Sequence, residues 1–330
     1  MEKGYIAPEA ALKKLRVAKG LGQAVYLYGA TGYGKTELVR QYLSRRRYRY
    51  ISCAEDAAGL EAPELTEAAE AAQETMAQSA MTHSSGKEKG AQPRTVIVVD
   101  DMHLLKNAEG RRAVLSLAGR SDIWPIFICR SPIPAWLMPL YIKGGFLVIT
   151  EDDLRLGEKE ISAYMDSQGL SVTEEELAFV AARSQGNAYT VRHTALKMLE
   201  GMRPGPEMAE EIVEAFAAYL ESHVMVQWDC DLLEFLMQIS VTDEFTLPLA
   251  EMVTGNRHAA ELLERALETG NFLSCKDGIY RLRPELIRAL RRQAAKEYGP
   301  QERADHAYNA GLYYEMQGQI VPALAMFEQC

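Results

Sequence analysis

At 330 residues the chain is long for a single hydrophobic core and suits two or three domains. It is 48% hydrophobic and 25% charged, the balance of a globular chain in water, and its net charge of −10 argues against a broad nucleic-acid face, which needs clustered Lys and Arg, while leaving room for a local basic patch. Five scattered cysteines form no CxxC or Cys/His cluster and read as reduced thiols with no zinc site, MEKGYIAPEA lacks a signal-type apolar core, and no apolar run approaches the roughly eighteen residues of a membrane span, so a cytoplasmic protein is expected.

In chain order, the first strong element is the apolar run Ala24-Val25-Tyr26-Leu27-Tyr28, which predicts a buried strand and runs directly into GATGYGKT at residues 29–36. That octapeptide fits G-x-x-x-x-G-K-[ST], and a helical segment from Glu37 to Leu43 follows it. Strand, glycine-rich turn and helix start together make the geometry in which backbone N–H groups wrap a phosphate. Gly29, Gly32 and Gly34 let the main chain approach an anion and take positive φ where needed. The candidate nucleotide contacts are therefore Gly29, Ala30, Thr31, Gly32, Tyr33, Gly34, Lys35 and Thr36, with Glu37 adjoining. Lys35 can reach the β- and γ-phosphates of a triphosphate, and the Thr36 hydroxyl can hold Mg²⁺.

Further along, Tyr48 to Cys53 predicts a short strand, residues 63–81 an Ala/Glu/Gln-rich helix, and the polar stretch 82–94 a surface loop. TVIVVDD, from Thr95 to Asp101, reads as a central parallel strand with two carboxylates at its tip. Ligands of parallel sheets sit beyond the strands' carboxyl ends, so this tip should neighbour the phosphate loop. Asp100 is then the candidate Mg²⁺ ligand and Asp101 the group that orients or deprotonates an attacking water. His103 either hydrogen-bonds the site or simply begins a helix. A helix over 107–119 and a strand from Pro125 to Cys129 follow; Arg130 closes that strand, where its guanidinium can meet a γ-phosphate from the side. Phe146 to Thr150 gives another strand, which completes the alternation of a doubly wound parallel sheet over 1–153.

The rest reads mostly helical. Helices over 158–168, 173–184 and 190–200 form a helical subdomain (154–203) that ends near the linker MRPGPE. Helices over 228–240, 247–255 and 256–269 precede FLSCKDGIYRLR, two short strands joined through Asp277-Gly278, a strong hairpin signal. Three helices and a hairpin make the order of a winged helix (204–298). Its third helix carries Arg257, His258, Glu261, Glu264, Arg265 and Glu268, a poor face for a DNA groove. In the last segment (299–330), Gly311, Tyr314, Gly318, Ala323 and Phe327 fall at tetratricopeptide offsets, the start of a helical solenoid. One such repeat cannot bury its own face, so a longer parent chain is expected.

Taken as an ordered set, GATGYGKT, VIVVDDMHLL, ICRSPIP, the helical subdomain, the winged helix ending in YRLRPEL and the repeat-like helices resemble the STAND class of signal-transducing ATPases, specifically the MalT-like large ATP-binding regulators of the LuxR family. The resemblance implies a P-loop domain that binds ATP or ADP with Mg²⁺, and a switch in which ADP holds a closed monomer. It further implies that ATP and an inducer, captured by a repeat domain, release self-association, and that DNA is bound only through a C-terminal domain outside this sequence. It places Tyr5, Ile6 and Pro8 near the adenine. Asn187 falls in the turn that meets the base, with Ala188 where the family has proline. Arg283 takes the winged-helix position of a phosphate-sensing histidine, and an arginine complements a phosphate bidentately. The competing readings are an AAA+-type remodelling ATPase with fast turnover and a P-loop kinase. No guanine-specifying N-K-x-D string occurs, which favours ATP.

Overall fold

The computed structural model describes residues 4–53, 95–105, 107–268 and 272–330, and they fall into two compact units, 1–195 and 196–330. In the first unit the order is α1 (Glu9–Leu21), β1 (Ala24–Tyr28), α2 (Lys35–Tyr42), β2 (Arg49–Ser52), β3 (Thr95–Asp100), α3 (Ala108–Ala118), β4 (Ile123–Cys129), α4 (Met138–Ile142) and β5 (Phe146–Ile149). All five strands run parallel, in the order β2-β3-β4-β1-β5. β1, β4 and β5 read as unbroken apolar runs, and β3 nearly so, because helices cover both faces. Along β1, Val25 and Leu27 join Leu15 of α1 and Leu38 of α2 in one core, while Tyr26 turns to the other with Phe127, Val114 and Leu117. This is the doubly wound P-loop architecture that the sequence predicts. The helix expected over 63–81 and the polar loop over 82–94 lie outside the described residues.

Strand β4 begins two residues earlier than Pro125, the residue at which the sequence sets its start. Proline lacks an N–H and usually marks an edge or a break. Here it pairs with Ile97 near the start of a central strand, where the neighbouring rungs carry the ladder. After β5 the unit continues through α5 (Glu151–Leu154), α6 (Glu158–Ser167), α7 (Glu174–Ser184) and α8 (Ala188–Leu199). The start of α7 is fixed by a reciprocal cap: Glu176 N–H donates to Thr173 Oγ1 and Thr173 N–H donates back to the Glu176 carboxylate.

The first helix wholly within the second unit is α9 (Pro206–His223), an eighteen-residue helix that the sequence reading names nowhere. Met208, Ile212, Phe216 and Leu220 form its buried stripe, and Pro206 stands at its first position, where no N–H is needed. Next come α10 (Cys230–Ile239), β6 (Glu244–Thr246), α11 (Leu247–Thr254), α12 (Ala259–Glu268), β7 (Leu273–Lys276), β8 (Ile279–Leu282) and α13 (Pro284–Glu297). Asp277 (φ 53°) and Gly278 (φ 77°) make the tight turn expected of the hairpin. The three residues of β6 add to it antiparallel, giving the order β6-β8-β7. So short a strand carries too few residues for an alternation to show in sequence.

The last two helices, α14 (Pro300–Met316) and α15 (Ile320–Phe327), pack as a helical hairpin. Gly311 is a point of close approach between them, since a Cβ there would overlap the Phe327 ring. Gly311→Ala should therefore cost about 1–3 kcal/mol through overpacking. Gly20→Ala, in an exposed last turn of α1 with open space around it, should instead stabilise by about 0.5 kcal/mol. Urea midpoints of the two variants check both signs; an unshifted Gly311→Ala would mean the helices are not so close.

Candidate functional site

The loop between β1 and α2 holds its shape through two glycines and a set of contacts from distant segments. Gly32 (φ 92°) and Gly34 (φ 69°) both take the left half of backbone space, and Gly34 caps α2. The first N–H groups of α2 thus have no helical acceptor of their own. A Cβ on Gly32 would lie 2.9 Å from the Asn187 side-chain amide and 3.1 Å from Tyr189 Cβ, so only glycine fits against the start of α8. From that helix, Asn187 Nδ2 donates to Thr31 O (3.4 Å) and Tyr189 N–H donates to Gly32 O (2.8 Å). From α5, the buried Glu151 carboxylate accepts the Ala30 N–H (2.8 Å). Lys35 folds back, its Nζ donating to Gly29 O (2.7 Å) and Ala30 O (2.8 Å). Burial, and then the Arg130 guanidinium, hold its ammonium down to about 8, despite opposing attraction from Asp100, Asp101 and Glu151.

The carboxylate pair reaches this loop across an intervening strand. β4 separates β1 from β3, yet the Thr36 hydroxyl donates to Asp100 Oδ2 at 2.7 Å. Tyr50, the second residue of β2, donates its hydroxyl to the same oxygen at 2.7 Å, and Asp101 N–H donates to Asp100 Oδ1 at 2.8 Å. Asp101 sits in the left-handed region (φ 53°), which aspartate tolerates better than most residues. Burial raises its carboxyl above the ordinary range, while Arg130, 3.4 Å away at the end of β4, pulls the other way. A carboxylate so raised is a better proton acceptor than an exposed one. His103 Nδ1 lies 3.9 Å from Asp101, and burial, reinforced by Arg130 and Lys35, pushes its imidazole down to about 3. The ring is therefore neutral, and the contact is polar and not ionic.

The structure thus gathers Gly29 to Thr36, Asp100, Asp101, His103, Arg130 and Asn187 around one point. It also brings Tyr5 into the charge field of Glu37: burial first, then that carboxylate, raises the phenol's pKa. Ile6 and Pro8 lie in the same segment, just ahead of α1. Arg283 belongs to the second unit, at the cap of α13, with its N–H on Phe272 O. The sequence reading misses Tyr50, Glu151 and Tyr189. No local pattern marks them, for each meets the site over 50 residues or more of chain.

Stranded polar atoms point to what the site accepts. Among the described residues, Thr31 Oγ1 and His103 Nδ1 are buried without a hydrogen-bond partner, and both border the loop. Such atoms are rare enough to need an explanation. A lysine ammonium, free helical N–H groups and an unpartnered hydroxyl around two left-handed glycines fit a polyphosphate. No group of three His, Cys, Asp or Glu able to hold a metal occurs among the described residues. Mg²⁺ fits all the same, because it prefers one or two protein oxygens supplemented by phosphate oxygens and water, and Thr36 with Asp100 supplies those two.

In the second unit, Arg265 of the third winged-helix helix pairs with Asp229, and His258 lies 3.5 Å from Glu261. Two of the basic groups of that face, Arg265 and His258, thus lie against acids of their own unit, which weakens it further as a DNA reader.

Comparisons with known proteins agree with this architecture. Residues 221–302 match the family described as the MalT winged helix domain. A Walker-type ATPase of Pyrococcus abyssi superposes with a TM-score of 0.60 at 15% identity, over 88% of this chain and 97% of that one. A signal transduction ATPase with numerous domains and a tetratricopeptide repeat sensor, from Pyrococcus horikoshii, superposes with a TM-score of 0.45 at 14% identity, over 99% of this chain and 48% of that one. No curated protein matches the chain by sequence. At these identities the structural likeness is one of fold.

The depressed Lys35 gives a proton signature. Its folded value lies below the 10.5 of an unburied lysine, so it disfavours folding at low pH and that penalty lifts as pH rises from about 8 toward 10.5. A polyphosphate in the loop should restore the charge and take up a proton. Titration calorimetry with ADP, in two buffers of different ionisation heat, should show clearly greater proton uptake at pH 8.5 than at pH 7. Equal uptake at both pH values would contradict the Lys35 assignment.

Proposed function

We infer that this chain, a MalT-like STAND ATPase by its winged helix domain and its Walker-type fold, is a nucleotide-controlled switch: the regulatory core of a transcriptional regulator that binds ATP or ADP with Mg²⁺ and hydrolyses ATP slowly. The observation that carries the reading is the meeting of Thr36, Asp100, Asp101 and Arg130 at the mouth of the glycine loop. In this reading the loop N–H groups and Lys35 bind the β- and γ-phosphates, with Arg130 placed to contact the γ-phosphate. Thr36 and Asp100 hold Mg²⁺, which when bound offsets the negative charge on the phosphate oxygens. Asp101, kept basic by burial, orients a water and accepts its proton as the water attacks the γ-phosphorus. Tyr5, Ile6 and Pro8 line the side on which the base lies, and Asn187 ties that side to the loop.

A switch needs ATP and ADP to contact two arrangements of the protein differently, otherwise neither shifts the balance. The resemblance supplies the arrangements: ADP-bound and closed, or ATP-bound and self-associating under an inducer. In the same reading the chain is cytoplasmic. It divides into a nucleotide-binding domain (1–153), a helical subdomain (154–203), the winged helix domain (204–298) and the first tetratricopeptide-like repeat (299–330). The contact of Gly311 with Phe327 supports that last assignment, since a small residue facing a large one across a helical hairpin is what its spacing calls for.

Turnover of the parent protein and two substitutions test this reading. Purified protein should turn over ATP about once a minute or slower; turnover near 1 s⁻¹ or faster, in the range of ordinary enzymes, would favour a remodelling motor instead. Lys35→Ala should weaken nucleotide binding about 30- to 100-fold. Asp101→Asn should keep ATP affinity within about threefold while hydrolysis falls at least about 100-fold. An Asp101→Asn protein that hydrolyses ATP at the parental rate would remove Asp101 from its role.

A further inference from the structure

We propose that Tyr50 is a positioning residue for the metal-holding carboxylate of Asp100, an inference that rests on the nucleotide-switch reading. In the β2–β3 register Tyr50 lies opposite Val98, two positions short of Asp100, and its side chain reaches up the sheet to the carboxylate. Its hydroxyl lies 2.7 Å from Asp100 Oδ2, and the Arg40 guanidinium stands 5.2 Å over its ring. Arg40 belongs to α2, the helix that also bears Thr36. The ring is therefore gripped by the phosphate-loop helix while the hydroxyl grips the strand tip.

The hydroxyl's contribution is separable from that of the ring. Phenylalanine would fill the same space between β2 and Arg40, so packing alone does not call for tyrosine. What the oxygen adds is a third donor to Asp100: Tyr50 and Thr36 on Oδ2, and the Asp101 N–H on Oδ1. Hydrogen bonds to an ionised acceptor are among the strong ones. Without Tyr50, Oδ2 would be held only by Thr36, the very group that the metal also needs. Hydroxyl and carboxylate could then shift as a pair, and the metal would meet a less ordered couple of oxygens. Tyr50 supplies a hold on Asp100 that does not depend on Thr36, so its loss should be felt when Mg²⁺ accompanies the nucleotide and little when it does not.

The test is equilibrium binding of ADP to the full chain with magnesium chloride and with EDTA, in the parent, Tyr50→Phe and Asp100→Asn, alongside their melting temperatures. Tyr50→Phe should lower the magnesium-dependent gain in affinity about five- to tenfold while affinity in EDTA stays within about twofold. Asp100→Asn should lose nearly all of that gain. A gain in Tyr50→Phe equal to the parent's overturns the proposal. So does a parallel fall with and without magnesium together with a lowered melting temperature, since that marks a structural role only. If the parent itself binds no ADP in either condition, the nucleotide-switch reading fails and Tyr50's role falls with it, an outcome distinct from Tyr50 failing alone.

Discussion

A phosphate-binding loop has a backbone that neither helix nor strand can satisfy, and everything around this one follows from that constraint. Its carbonyls and amides must find partners elsewhere, since buried backbone polar groups left alone cost as much as a lost hydrogen bond. Here four partners answer: Lys35 on Gly29 O and Ala30 O, Glu151 on Ala30 N–H, Asn187 on Thr31 O, and Tyr189 N–H on Gly32 O. They come from α2, the exit of β5 and the start of α8. A helical segment more than 150 residues downstream is therefore part of the loop's own scaffold. Gly186 explains how the chain arrives there. Its φ is 75°, and a Cβ there would come within 2.8–2.9 Å of Arg155 Cβ and the Leu156 backbone, so the turn before Asn187 has no room for a side chain.

The second determinant is the sheet order. Because β4 lies between β1 and β3, the residue that closes β4 stands between the loop and the paired aspartates. Arg130 occupies that position and sets the local electrostatics. It helps to depress Lys35 and His103 and offsets the rise that burial imposes on Asp101. With two cations and three carboxylates crowded beneath the loop, each group's state depends on its neighbours. Adding an anionic ligand changes the balance for all of them. In the proposed switch, that coupling would be the physical means by which the site distinguishes two nucleotides that differ by one phosphate.

What was legible in the sequence was local. GATGYGKT after a strand, the twin aspartates ending a β-branched run, and Asp277-Gly278 between two short strands each carry their geometry in consecutive residues, and each lies where that geometry requires. Fold class followed from the same signals. What escaped was set by distance along the chain or by brevity. Tyr50 meets Asp100 across 50 residues and Glu151 meets Ala30 across 121, so no window of sequence pairs them. The three residues of β6 are too few to show a period. Helix α9 has a clear apolar stripe, but the Pro/Gly punctuation of MRPGPE drew the boundary into its first turn. Pro125 misled in the same way, because a proline is tolerated near the start of a central strand when the following rungs are intact.

The central claim is that the loop from Gly29 to Thr36 captures the polyphosphate of an adenine nucleotide with Mg²⁺. Titration calorimetry of the intact chain with ATP and with ADP, each with magnesium, tests it most directly. Saturable binding of a single nucleotide per chain, with a dissociation constant of about 10 μM or tighter, is the predicted result. No heat with either nucleotide up to about 1 mM, in protein whose melting temperature neither nucleotide raises, would contradict it.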